Sequence, residues 1–441
     1  MNRFQPLLPA LRMTKSCALA VVLLAASYAA APAAAPNLMI GTDMGHTDLY
    51  FFNMDTDQRI KVDLSKDPLW PGGGALHTII TPDGKKAYLS VMSSDKDPAT
   101  FLALQIDALD WKAGTADVKI TKVMRAAEPG EKPSFLIPTQ TDTNQPVTDL
   151  WTTVRVTNQQ LHGPTIHPNG KHVYFTQWTD NKIRVIDVDK DELAAVDPIQ
   201  YGTRSRQIHG VFFNPSGDLA MATGYYYDMN EVTLYKVDKK TGNLTIDKVI
   251  PLTISEKDKQ YAAFTHFVWW LDDRYAITST QQTGNTSLTP AGWKVIGPSV
   301  WLIDAVEGKG KMIIGPAKDP DDPGIYKPAS DVVVVGKKLY VGEEDSMDAT
   351  MDQGAVSIWD ISDPNSPKFV KRLMAGRELP ADFSLAHEIY ASMDGRNVYA
   401  QSWASGYLVK IDGATDEVID VASKDVGWHM PHGNFVQGAI R

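Results

Sequence analysis

Six of the ten histidines in this chain recur at one position of a repeating pattern. They stand in Leu76-His77-Thr78, Leu161-His162-Gly163, Ile208-His209-Gly210, Thr265-His266-Phe267, Ala386-His387-Glu388 and Pro431-His432-Gly433. A seventh copy, Ser330-Asp331-Val332, carries a carboxylate where the others carry imidazole. A lone histidine of this kind is ordinarily satisfied by water or a backbone carbonyl. Several in register are different, because crowded imidazoles disfavour one another's protonation, and neutral imidazole is the commonest metal ligand. The chemistry implied is metal binding through His77, His162, His209, His266, His387, His432 and Asp331.

The donor types narrow the metal. The only cysteine is Cys17, so no thiolate-rich closed zinc site and no thiol nucleophile is expected further along the chain. Calcium requires oxygen ligands, and only Asp331 among the seven supplies them. The set exceeds what one ion uses and suits about two to four ions; imidazole without thiolate favours copper, with iron or zinc behind it. Asp331 could bridge metals or take a proton from substrate. His46 and Glu343 are further catalytic candidates, because both are placed where a strand leaves toward the same end as the ring. Glu344 shares that position, the alternative for both glutamates being a solvated acidic turn with Asp345 and Asp348. His429, three residues before His432, is a candidate support. His167 and His172 fall elsewhere in the repeat and are expected to be structural or solvated.

What must position these groups is a β-sheet repeat. After each opening tripeptide comes a β-rich run, then a turn (Pro82-Asp83-Gly84, Pro168-Asn169-Gly170, Pro215-Ser216-Gly217, Asp272-Asp273, Gly336-Lys337, Asp394-Gly395), then a second β-rich run. Third strands such as Val300-Trp301-Leu302-Ile303-Asp304 and Val356-Ser357-Ile358-Trp359-Asp360 end in an aspartate ahead of another turn and a fourth strand. Successive ring positions are 85, 47, 57, 65, 56 and 45 residues apart. Repeats of four strands at such spacings predict an all-β, seven-bladed β-propeller. The last repeat has only its first strand, from about Gly433. Leu38–Gly41, Leu49–Phe52 and Arg59–Leu64 would supply the other three, so the last blade is closed by N- and C-terminal strands and two sheet edges disappear. The first strand of each blade lines the axis, which places the ring at one mouth. The insertions Arg125–Gln160 and Gln282–Pro298 would rise on that same face, where long loops usually carry function.

Residues 1–35 read as a signal peptide: Arg3, Arg12 and Lys15, then an apolar stretch from Cys17 to Ala30, then Ala33-Ala34-Ala35 before Pro36. The apolar stretch is short for a membrane span. Residues 36–441 would be the propeller, exported to the periplasm. Loss of the three leader cations would take the net charge from −10 to −13. So acidic a protein is a poor partner for nucleic acid or an anionic membrane. No P-loop, nucleophile elbow, dinucleotide fingerprint or zinc-protease helix occurs; His387-Glu388 lacks the second histidine of the last.

The run His167-Pro168-Asn169-Gly170-Lys171, with Val173-Tyr174-Phe175-Thr176 and Lys182-Ile183-Arg184-Val185-Ile186-Asp187, resembles the YVTN-type propeller repeat, which implies architecture alone. The histidine ring is similar to that of copper-binding seven-bladed propellers, namely the catalytic domain of nitrous-oxide reductase and, nearer, thiocyanate dehydrogenase. The chain departs from the first in lacking an adjacent histidine pair and a cysteine-bearing electron-transfer domain. No lysine here matches the catalytic lysine of the second. The resemblance implies copper on the seven ring positions and oxidation of a small molecule such as thiocyanate or a related sulfur or nitrogen anion. Electrons would leave to an external acceptor such as a soluble cytochrome, since no second redox motif is present. The competing expectations are a non-catalytic metal-binding or scaffolding propeller and a lactonase-like metal-dependent hydrolase.

Overall fold

The computed structural model describes residues 38–43, 45–91, 99–127, 161–177, 181–200, 208–224, 231–255, 257, 259–262, 264–281, 294–344, 354–392, 394–403, 405–422 and 431–435. All of these lie in one compact unit, Asn37–Arg441. The leader, the bulk of both long insertions (128–160 and 282–293) and His429 fall outside them.

The chain is an all-β, seven-bladed propeller. Blade one runs Ala75–Ile80, Lys86–Val91, Thr100–Asp110, Thr115–Arg125, and each later blade repeats this antiparallel order from the axis outward. The first strands touch one another in circular order, and the seventh touches the first, so the ring closes. Closure is made as expected: Pro431–Phe435 pairs with Leu38–Asp43, with Gly433 opposite Gly41 and His432 opposite Thr42. A small three-stranded sheet of Thr253–Ser255, Gln260–Tyr261 and Lys294–Val295 stands outside the blades. It joins strand ends at the histidine-bearing face. No helix among the described residues is long and apolar enough to cross a membrane.

Period-2 alternation gives every blade two apolar faces, and each face is buried against a neighbouring blade. Seven apolar clusters result, one in each seam. Blade seven, sewn from both termini, is held to blade six by Met39, Tyr50, Phe52 and Met54 against Tyr390, Tyr399 and Leu408. Polar clasps reinforce the seams at the end opposite the histidines. A second-strand tyrosine reaches the turn between strands three and four of the next blade. Tyr174 Oη donates to Gly242 O at 2.9 Å, Tyr399 Oη to Met54 O at 2.9 Å, and Tyr340 Oη to Asp416 Oδ1 at 2.6 Å. Tyr88 makes the same bond to Asp191. Lys86 and Lys338 add ion pairs to those aspartates at 2.9 and 2.7 Å.

Candidate metal centre

The ring residues sit on a backbone irregularity that the sequence does not announce. In blades one to six the pairing of first and second strands slips at the opening of the first strand: between Ala75 and Thr78, His162 and Thr165, Ile208 and Val211, Thr265 and Val268, Ala329 and Val332, and Ala386 and Glu388. Each slip is a β-bulge, a device that re-aims a side chain. Blade seven pairs without a slip.

Behind the bulges lies a row of buried hydroxyls at the penultimate residue of second strands. Thr176 Oγ1 donates to His162 O at 2.7 Å and lies 2.8 Å from His209 O of the next blade. Thr223 Oγ1 donates to His266 O at 2.9 Å, Thr42 Oγ1 to Leu76 O at 2.6 Å, and Ser279 Oγ to Ser330 O. Ser90 Oγ accepts from His77 N at 3.1 Å. The hydroxyls fix the backbone from which the ring side chains project. Gly163 is part of the same fit: its φ is 46°, and a Cβ there would collide with the His209 carbonyl oxygen.

Five imidazoles pack in a row around the mouth, edge to face at either end of the row and tilted in between. Ring centroids are 4.1 Å apart for His77–His162, 4.5 Å for His162–His209, 4.1 Å for His209–His266 and 4.9 Å for His266–His387. Four of the Nδ1 atoms face an oxygen of a neighbouring blade. His162 Nδ1 lies 3.2 Å from His209 O, and His209 Nδ1 lies 2.9 Å from His266 O. A carbonyl can only accept, so Nδ1 carries the proton in both, and the lone pair of the neutral ring falls on Nε2. His266 Nδ1 is 3.1 Å from Asp331 Oδ1, and His387 Nδ1 is bonded to Glu344 Oε1. Gln281 Nε2 holds the other Glu344 oxygen at 2.8 Å.

The carboxylates form a separate arc on blades five and six. Burial pushes the Asp331 carboxyl well above the usual range; His387 opposes this, while Glu388 and Glu344 add to it. Burial alone would lower the His387 imidazole, but Glu344, with Glu388 and Asp331 beyond it, raises it to about 9. Tyr390 Oη donates to Glu388 Oε2 at 2.7 Å, and Trp403 stacks on His387 with centroids 5.6 Å apart.

The structure therefore brings together His77, His162, His209, His266, His387 and Asp331. His432 has its backbone at the corresponding place in blade seven, beside Thr42; its side chain lies outside the described residues. Glu343 does not join the ring. Its Oε1 pairs with Arg372 at 3.2 Å, and its Oε2 accepts from Tyr326 N and Lys327 N at 3.0 and 3.2 Å, behind the blade. Strand alternation explains this: Tyr340, Gly342 and Glu344 share the face toward blade six, and Glu343 faces the other way. His46 is exposed in the turn after Leu38–Asp43, on the histidine face, where its carbonyl accepts from Ala75 N at 2.6 Å at the opening of the blade-one first strand. His167 is in the opposite turn, where Gly217 O accepts from Nε2 at 2.9 Å and Nδ1 accepts from Asn169 N at 3.1 Å. His172 is buried rather than solvated, against Gly242 and Val185. Glu388, Gln281 and Trp403 are additions that the sequence reasoning misses. Period-2 parity singles out Glu344, but Trp403 leaves no signal beyond being an aromatic just past a second strand.

Among the described residues, no three His, Cys, Asp or Glu side chains are grouped so that they hold one ion as they stand. The fit to a metal rests on donor chemistry: a file of imidazoles with Nδ1 anchored by carbonyl or carboxylate, which is how metal-ligating histidines are supported.

No family model matches this chain, and no curated protein matches it. Solved structures do. A functionally unknown protein from Desulfotomaculum acetoxidans aligns with TM-score 0.57 and 12% identity over 91% of this chain and 99% of its own. A putative 6-phosphogluconolactonase from Bacteroides fragilis gives 0.56 and 15% over 92% and 100%. The hydrazine synthase of Kuenenia stuttgartiensis gives 0.51 and 12% over 81% and 88%. At such identities the likeness is one of fold.

Proposed function

We propose that the mouth of this propeller binds copper, ahead of iron or zinc, and oxidises a small molecule there, in a protein exported to the periplasm. The observation that supports this best is the anchoring of Nδ1 on His162 and His209 by backbone carbonyls, which leaves the Nε2 lone pair of both rings for a metal, while His266 and His387 turn Nδ1 toward carboxylates. His162, His209, His266 and His387, joined by His77 and His432 at the same strand position, would hold the ions. Bound copper would supply Lewis acidity and accept electrons. The chain's own residues do the remainder. Asp331, buried among carboxylates, is suited to hold a proton beside His266. Glu344, tied by Gln281, orients His387. Trp403 closes one side of the mouth and excludes water from it. A small sulfur or nitrogen anion such as thiocyanate is the substrate proposed, with electrons passing to a soluble acceptor such as a cytochrome.

Elemental analysis of protein prepared with copper tests the reading first: more than one copper per chain is expected, falling in His266→Ala. Turnover of thiocyanate with an artificial electron acceptor tests the second step. Full copper loading with no oxidation, and ready transfer of copper to a chelator, would make the protein a metal carrier. Hydrolysis of a lactone with one divalent ion bound would make it a hydrolase, a chemistry named for several of its fold neighbours.

A further inference from the structure

One position breaks the row of hydroxyls behind the ring. The penultimate residue of the second strand is Thr42, Ser90, Thr176, Thr223 and Ser279 in five blades. In blade five it is Gly342, and there Ser330 Oγ donates to Ala386 O in its place, so that seam is still closed by a hydroxyl. In blade six it is Gln401. Gln401 is fully buried, and neither Oε1 nor Nε2 has a hydrogen-bond partner among the described residues. It stands opposite Glu388 in the strand register, one residue past the bulge that carries His387, and two residues before Trp403, which stacks on that imidazole. Four of the five hydroxyls, all but Ser90, bond across the seam to the next blade's first strand, and Tyr399 on the same strand face reaches Met54 of blade seven. The Gln401 side chain therefore leaves its strand toward the seam between blades six and seven, beside the ring.

A buried carboxamide with both polar atoms unpartnered is unfavourable for folding, since each group loses its hydration without replacement. A threonine, as used in three other blades at this position, would avoid the penalty. Local rules of this kind are broken chiefly where function requires it.

We propose that Gln401 is a ligand-binding residue of the mouth, pairing with a small molecule that both accepts and donates a hydrogen bond. Nε2 would donate to the ligand and Oε1 accept from it, the pairing an amide edge makes. The buried setting of the amide favours an uncharged or singly charged ligand. Asp331, Glu344 and Glu388 are close to His387, and a neutral amide cannot offset the desolvation of a strongly hydrated dianion. This inference deepens the functional reading, since it narrows the substrate class of the same mouth, but its test does not require the metal.

The experiment measures thermal stability of the metal-free protein with acetamide, azide and sulfate as probes, in wild type, Gln401→Thr and Gln401→Leu. Acetamide should raise the wild-type midpoint saturably, at concentrations on the order of millimolar for so small a ligand. Azide should do so more weakly and sulfate not at all. Gln401→Thr, which can restore the seam hydroxyl, should be more stable than wild type and lose the acetamide response. Gln401→Leu should lose the response as well. Wild-type response retained in both variants, or wild type unresponsive to acetamide and azide, would overturn the proposal and leave Gln401 with a trapped water. Copper content separates the two readings. If wild type binds no copper yet Gln401→Thr abolishes the acetamide response, the copper reading fails and this one stands. If copper loads equally in all three proteins and the response is unchanged, the reverse holds.

Discussion

The same seven strands end at two very different places. At the far end of the channel each polar side chain closes its own turn. Thr81 Oγ1 bonds Asp83 and accepts from Lys86 N, Asn214 bonds Ser216 and Leu219 N, Ser392 bonds Asp394 and Asn397 N, and His167 does the same work with imidazole. At the mouth the histidines are held by atoms of neighbouring blades: His209 O, His266 O, Asp331 and Glu344. The contrast teaches that a histidine's role here is set by which end of the strand it occupies. At the far end both ring nitrogens of His167 are used up by the fold, Nδ1 in its own turn and Nε2 on Gly217 O of the next blade. At the mouth it is Nδ1 that is held, and on His162 and His209, where a carbonyl holds it, the lone pair is carried on Nε2.

The sharpest form of the contrast is between consecutive residues. Glu344 supports His387 at the mouth, and Glu343 is buried behind the blade with Arg372. Of all the substitutions proposed, Arg372→Met should cost the most stability, about 3–5 kcal/mol, because it leaves a buried carboxylate without its counter-charge. The sign with pH follows. Burial raises the Glu343 carboxyl, with Arg372 opposing. The folded state therefore holds its proton more tightly than the unfolded chain, and stability falls as pH rises through the carboxylate range. Without Arg372 that fall should steepen, and Arg372→Met/Glu343→Leu should recover most of the loss in denaturant titrations. Copper binding should be unchanged in both variants, which would set Glu343 apart from the proposed centre.

Glu344→Gln comes next. It removes the charge that orients His387 while keeping the shape, and should weaken copper binding by about 10–100-fold, as loss of a supporting partner typically does. His266→Ala should lower the number of ions bound. His167→Ala should leave copper content at the wild-type level; a fall there equal to that in His266→Ala would erase the distinction between the two ends.

Much of this is legible in the sequence, and the reasons are specific. The blades can be counted because Pro-Asp-Gly, Pro-Asn-Gly and Pro-Ser-Gly turns punctuate runs with period-2 alternation. The terminal closure can be read because Leu38–Asp43 and Asp48–Asn53 are strands without a first strand of their own. The ring can be aligned because its residues all open first strands. The bulges cannot be read, since an extra residue in a strand leaves the composition unchanged and appears only in pairing. For the same reason sequence reasoning does not separate Glu343 from Glu344, although a shift of one residue reverses the face. Gln401 is invisible because its meaning lies in the hydroxyls of five other blades, which become equivalent only once register is known.

His167→Ala, neutral toward copper, should still destabilise. It empties space beside Phe213, whose ring centroid is 5.1 Å away, and leaves Gly217 O and Asn169 N without their partner. A loss of about 2–3 kcal/mol is expected from the unsatisfied groups and the cavity. His167→Asn, borrowing the residue that blade three uses at Asn214, should recover part of it. Recovery by asparagine would show that the far-end imidazole acts only as a turn-forming group; none would mean its ring packing dominates.

The smallest effects should come from the tyrosine clasps, which lie at the same far end and separate charged from neutral support. Tyr340→Phe keeps the ring and removes only the hydroxyl bonded to Asp416, which retains Lys338 at 2.7 Å. Tyr174→Phe removes a hydroxyl bonded to the neutral Gly242 carbonyl. Hydrogen bonds to charged groups contribute about 1.5–3 kcal/mol and neutral ones about 1 kcal/mol. Lys338 stays to stabilise Asp416, so Tyr340→Phe should fall at the low end of the charged range and Tyr174→Phe below it. Equal losses in chemical denaturation would mean that the lysine already screens the aspartate completely. In either case the far end should change in stability while copper binding at the mouth stays constant, and a tyrosine variant that lowers copper content would show the two ends to be coupled through the blades.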